Sequence, residues 1–127
     1  MLKLSLIFLG AGVGGVLRYL VSGVAQRFGD GVFPVGTMAV NIIGCLVIGF
    51  LGTAMAGPVL VREEYRAAVL IGLIGAFTTF STFADETFKL SADRQFVLAS
   101  VNVVLSCGLG LAAVWIGMRL AQRIYGV

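Results

Sequence analysis

Four long apolar stretches follow one another in a chain of 127 residues, with only short polar breaks between them. They cover roughly residues 4–26, 35–56, 67–88 and 96–121. Each reaches the ~18–20 apolar residues that a helix needs to cross a bilayer. The breaks are Gly29-Asp30-Gly31 with Pro34, then Gly57-Pro58 with Arg62-Glu63-Glu64, then Lys89 through Arg94. Connections this short make neighbouring helices antiparallel and leave no room for a soluble domain. The reading is an all-α membrane protein, with residues 1–127 forming one four-helix membrane domain. A composition of 59% hydrophobic and 12% charged residues agrees with that class.

The first stretch resembles a secretory signal in having Lys3 ahead of an apolar run. It runs on past a typical signal core, carries Arg18 and offers no convincing cleavage site, so it is read as the first membrane helix. Cys45 and Cys107 both fall inside predicted spans and read as buried thiols, not as a disulfide. With no histidine, no CxxC and no phosphate-cradling glycine loop, the common metal and nucleotide sites lack their residues. No nucleophile–base pair can be assembled either, which argues against an enzyme. The net charge of +3 sits at helix ends, as membrane flanks require, and gives no nucleic-acid signal. A proton-coupled exporter of cations needs a carboxylate inside the membrane. The only candidates are Asp85 and Glu86, near one end of the third span. A non-transporting assembly subunit is compatible with the same composition.

Four spans place the N-terminus, the second break and the C-terminus on one side. That side carries Lys3, Arg62, Arg66, Arg119 and Arg123; the other carries Arg27, Lys89 and Arg94, with Arg18 if it snorkels that way. The bias is weak for the positive-inside rule. It suits either one modestly preferred orientation or insertion of copies both ways. No internal repeat relates the two halves, so a second, inverted copy would supply the symmetry that many transporters build from inverted repeats. Small residues at helical spacing favour close contact: Gly10 with Gly14, Ala11 with Gly15, and Gly108 with Ala112. Such pairs serve packing within one chain or between two.

Polar residues at membrane depth carry the functional signal. Thr37 and Asn41 share a face of the second helix, Asn102 and Ser106 a face of the fourth, and Ser81 and Thr82 lie on the third. Each alone reads as interhelical glue; together they form a track of hydrogen-bond donors that would suit a small anion. Phe80 and Phe83, three apart, read as ordinary packing or as rings whose positive edges line a narrow path. Residues 78–82 hold four hydroxyls in five positions, and buried hydroxyls need partners. Gly72, Gly75, Thr78 and Thr79 weaken the helix there. A break would free carbonyl oxygens for a hard cation such as Na⁺. An intact helix would instead have its threonines bonding back to their own backbone.

The run Gly75-Ala76-Phe77-Thr78-Thr79-Phe80-Ser81-Thr82-Phe83, with Glu86 shortly after, strongly resembles the signature of the Fluc, or CrcB, fluoride channels. Residues 12–19 (Gly-Val-Gly-Gly-Val-Leu-Arg-Tyr) resemble its first-helix motif. Residues 36–41 (Gly-Thr-Met-Ala-Val-Asn) resemble the second, and residues 102–106 (Asn-Val-Val-Leu-Ser), more loosely, the fourth. The resemblance implies a fluoride-selective channel that exports cytoplasmic fluoride passively through a bacterial plasma or inner membrane. It implies an antiparallel, dual-topology homodimer in the lipid bilayer, with two pores and a structural sodium ion at the interface. Carried over, the backbone carbonyls of Gly75 and Thr78 would hold sodium. Phe80 and Phe83 would line the pore, and Asn41 would donate to fluoride or hold the rings. Thr37, Ser81, Thr82 and Ser106 would add hydroxyls along the path, and Arg18 would face the aqueous vestibule. Glu86 matches a family acid whose role is left open.

Overall fold

The computed structural model describes residues 1–57 and 59–126; Pro58, part of the second break, lies outside them. The elements run α1 (Leu2–Gln26), α2 (Val35–Ala54), α3 (Glu63–Ala67), a π-helical segment (Ala68–Ile74), α4 (Gly75–Phe77), α5 (Phe80–Ala92) and α6 (Phe96–Tyr125). Among the described residues there is no strand. α3 through α5 form one bent, broken third span, so among the described residues four helices are long and apolar enough to cross a membrane: Leu2–Gln26, Val35–Ala54, Glu63–Ala92 and Phe96–Tyr125. The protein is a multi-pass membrane protein.

Lipid tails are as apolar as leucine side chains, so helices in a membrane associate by fit, and glycine allows the closest fit. α2 packs along α6, and α1 packs along the π segment. A side-chain carbon at Gly49 would overlap the Val114 carbonyl, and one at Gly117 would overlap the Leu46 carbonyl. These two glycines let the backbones of α2 and α6 touch. On the other seam, a carbon at Gly10 or Gly14 would overlap the carbonyl of Ala68 or Leu73, and one at Gly72 would lie 2.6 Å from Ile7 O. The Gly10/Gly14 pair therefore packs inside the chain. Nothing lies within 4 Å of a carbon built on Gly15 or Gly108, so the other two small-residue pairs are not used in this way.

The turn between α1 and α2 is tied by side chains. Asp30 Oδ1 accepts from the N–H groups of Val32 and Phe33, both at 3.0 Å. Those two bonds, Phe33 first, hold the exposed Asp30 carboxyl below its ordinary pKa. Gln26 at the end of α1 donates to Phe33 O at 2.9 Å and accepts from Gly36 N at 2.9 Å. It thus serves one of the N–H groups that every helix start leaves open.

The third span is irregular in two ways. The π segment carries one extra residue per wide turn, a feature common at functional sites. Then the helix stops: Thr78 has φ −88°, ψ 162° and Thr79 has φ −154°, ψ 119°, both extended. Gly75 keeps helical angles, φ −59°, ψ −39°. The break falls on the paired β-branched residues, not on the glycines.

Candidate functional site

A break inside a membrane helix strands backbone polar groups, and each must find a partner within the protein. The N–H that a continuous helix would give to Gly75 O is that of Thr79. It donates instead to Asn41 Oδ1 at 2.8 Å. Asn41 Nδ2 in turn donates to Thr79 O at 3.0 Å. One amide on α2 thereby replaces the bond that the Thr79 N–H has lost and adds a second donor to the Thr79 carbonyl, which as the N-cap of α5 already opens that helix. The Thr78 carbonyl accepts from Arg18 Nη1 at 3.3 Å. Arg18, half-buried on α1, is in no ion pair among the described residues. Its positive charge lies on the break.

The hydroxyls divide between two tasks. Thr78 Oγ1 donates back to Ile74 O at 3.2 Å, satisfying itself within its own helix. Thr79 caps α5: its Oγ1 accepts from Thr82 N at 3.3 Å, donates to Thr82 Oγ1 at 3.0 Å and lies 3.3 Å from Ser81 Oγ. This is the N-cap arrangement that restarts a helix after an interruption. Ser81 and Thr82 are exposed on the single chain.

The restart aims the aromatic rings. Phe80 and Phe83 have centroids 5.7 Å apart with planes tilted by 50°. A cavity of about 330 Å³ is lined by these two rings together with Asn41, Thr78, Thr79, Ser106 and others. Phe80 is 79% exposed, so one wall of this cavity is open in a single chain. Cys45 and Cys107 line the same cavity as free thiols; Cys107 is exposed on the single chain, where a buried position was expected.

Thr37 is elsewhere. Its hydroxyl donates to Glu86 Oε1 at 2.8 Å. Both line a second cavity of about 650 Å³ with Ser22, Gln26, Lys89 and Asp93. Glu86 Oε2 is buried without a hydrogen-bond partner. Of the site residues expected from sequence, Asn41, Thr78, Phe80, Phe83 and Ser106 line the cavity at the break, Arg18, Gly75, Ser81 and Thr82 lie at or beside the break, and Thr37 alone sits toward the α1–α2 turn, bonded to Glu86.

The carbonyl donors test the fit of a sodium ion. Gly75 O has lost the Thr79 N–H as a partner, and Thr78 O projects from extended backbone with Arg18 on it. Oxygen donors of this kind suit a hard cation. Two per chain are too few to enclose one, so a second chain would have to contribute the same pair. The residues fit the group in chemistry, with the Arg18 charge opposing it.

Thr79 and Thr87 were not singled out as site residues from sequence, yet both anchor it. Thr87 Oγ1 donates to Phe83 O at 2.7 Å and accepts from Asn102 Nδ2 at 2.9 Å. The signal was present in the i,i+4 spacing of Phe83 and Thr87, which lets a hydroxyl reach the carbonyl one turn earlier.

Residues 5–118 match the family described as CrcB-like protein, Camphor Resistance (CrcB). The chain belongs to the CrcB family. Among its curated relatives, a protein of Geobacter sulfurreducens named fluoride-specific ion channel FluC is 44% identical over 112 residues, 88% of this chain and 90% of the relative. A protein of the same name in Geobacter metallireducens is 38% identical over 98% of this chain and 100% of the relative. Another in Methylococcus capsulatus is 43% identical over 97% of this chain, which spans 54% of that longer protein.

Proposed function

We propose that the chain forms a fluoride-selective channel that lets cytoplasmic fluoride leave passively, down its electrochemical gradient. The observation that carries the reading is the pairing of Asn41 with both backbone groups of Thr79, which holds an interrupted helix open and sets Phe80 and Phe83 at a cavity that the Asn41 amide also lines. The names of the relatives support fluoride as the ion.

Phenyl edges carry partial positive charge, and amide and hydroxyl groups donate hydrogen bonds. Together they replace part of an anion's water without a full opposite charge that would trap it. Asn41 spends one Nδ2 hydrogen on Thr79 and keeps the second for the ion. Thr82, which accepts from Thr79, keeps its own O–H for donation, and Ser81 lies beside it. Thr37 would continue the path toward the larger cavity, and Arg18 would attract anions to the break.

The exposed Phe80 and the open cavity wall call for a second copy. An antiparallel partner fits the nearly balanced Lys/Arg distribution and would generate two equivalent pores. Sodium, bound by Gly75 and Thr78 carbonyls of both copies, would neutralise oxygens left at membrane depth; its role is structural. The test is fluoride flux from liposomes loaded with fluoride and carrying the purified protein. Fluoride should leave rapidly and chloride should not. No flux above empty liposomes would remove the reading.

A further inference from the structure

A hydrogen-bonded chain runs behind the aromatic cavity, and its direction is set by a single carbonyl. Phe83 O has no proton, so Thr87 Oγ1, 2.7 Å away, must spend its only hydrogen there. Thr87 then has only lone pairs left for Asn102, so the Asn102 atom at 2.9 Å is Nδ2. That leaves Oδ1 turned along α6 toward Ser106. An amide oxygen cannot donate, so Ser106 gives its hydrogen to Asn102 Oδ1 at 3.2 Å. Asn102 is 1% exposed and lies outside the cavity lining, whereas Ser106 and Phe83 line the cavity.

We propose that Asn102 is a positioning residue that fixes the sense of this chain, so that Ser106 turns lone pairs, not its O–H, toward the cavity. The inference rests on the fluoride reading above and reverses the role expected of Ser106. A bare anion meets an acceptor at this point. It is held off Ser106 unless a water stands between, giving one hydrogen to Ser106 Oγ and one to the ion. The wall formed by α6 therefore keeps the ion loosely bound, which a conducting path requires. The cluster acts on the ion only through Ser106.

Two variants release the Ser106 hydrogen by different routes. Asn102→Leu removes its acceptor. Thr87→Val removes the group that orients the Asn102 amide, which is then free to turn and donate to Ser106. Each released hydroxyl gains the ability to donate to fluoride. The expected result is a fall of about three- to ten-fold in the fluoride concentration for half-maximal liposome flux, the effect of one added hydrogen bond. In a Ser106→Ala background neither substitution should produce the shift. A role in packing alone would not depend on the Ser106 hydroxyl in this way. Should Asn102→Leu fail to assemble by size-exclusion chromatography, Thr87→Val carries the test. An unchanged half-maximal concentration in an assembled variant, or a shift that persists in Ser106→Ala, overturns the proposal. Failure of the fluoride reading itself appears separately, as absent flux in the unaltered protein.

Discussion

Asn41 grips Thr79 through both ends of its amide, accepting from its N–H at 2.8 Å and donating to its carbonyl at 3.0 Å. A side chain on α2 thus does the work of a helical turn, and the break depends on it. Asn41→Leu should leave the Thr79 N–H without a partner inside the bundle, at a cost of roughly 1–3 kcal/mol, and take one of two donors from the Thr79 carbonyl. Thermal unfolding in detergent should shift downward and fluoride flux should collapse together. Retention of both would mean that the break is held by its neighbours.

Phe80 and Phe83 should act on the ion. Phe80→Ile or Phe83→Ile keeps much of the apolar bulk but removes the positive ring edge. Flux should fall strongly while the assembly survives size-exclusion chromatography. Equal loss of assembly and flux would make the rings packing residues.

The proposed sodium ion should be structural and uncoupled to transport. Reversal potentials should follow the fluoride gradient alone, whatever the sodium gradient. Prolonged removal of sodium should weaken the dimer. Arg18→Gln removes a positive charge 3.3 Å from Thr78 O, so sodium should bind more tightly in that variant. Weaker sodium binding there would mean that Arg18 organises the site.

The antiparallel dimer makes a topological prediction. Several lysines added to one terminus should bias insertion and reduce active channel, and co-expression with an oppositely biased version should restore it. Labelling of a cysteine at the N-terminus in whole cells should find it on both sides. Detection on one side alone defeats the antiparallel arrangement.

The glycine seam gives a stability prediction. Gly49→Ala or Gly117→Ala places a carbon on a backbone carbonyl of the facing helix and should cost roughly 1–3 kcal/mol. Gly12→Ala, with nothing within 4 Å, serves as the control.

The four spans and the interruption of the third were legible because hydropathy and helix propensity are local. The locations within them were less so. Gly72 and Gly75 weaken a helix on paper, yet both are helical, because backbone freedom permits a break without requiring one. The threonines carry it, since Thr79 has a partner in Asn41, 38 residues away. The Gly10/Gly14 spacing was visible, but which helix it would meet was not. Gly117 belongs to a small-residue series in α6, Ala113-Gly117-Ala121, that was passed over, whereas Gly49 has no glycine or alanine four residues away in α2. The contact of Arg18 with Thr78 O was not legible, because sequence gives a charge without saying which carbonyl it will reach.

The π segment Ala68–Ile74 is as greasy as any α-helix and left no trace in the residue pattern. Its effect is on phase. An α-helix turns each successive residue by about 100°; a wide turn holding one more residue resets that count. Everything downstream, Thr78 and Thr79 included, leaves the segment at an azimuth that an unbroken α-helix of the same length would not reach. Deleting Leu70 would let the wide turn close to an ordinary α-turn and keep the downstream azimuth, whereas α-geometry imposed on all seven residues would rotate the aromatic wall away from α2 and from its Asn41 anchor. The segment sets the angle at which the chain meets its ion.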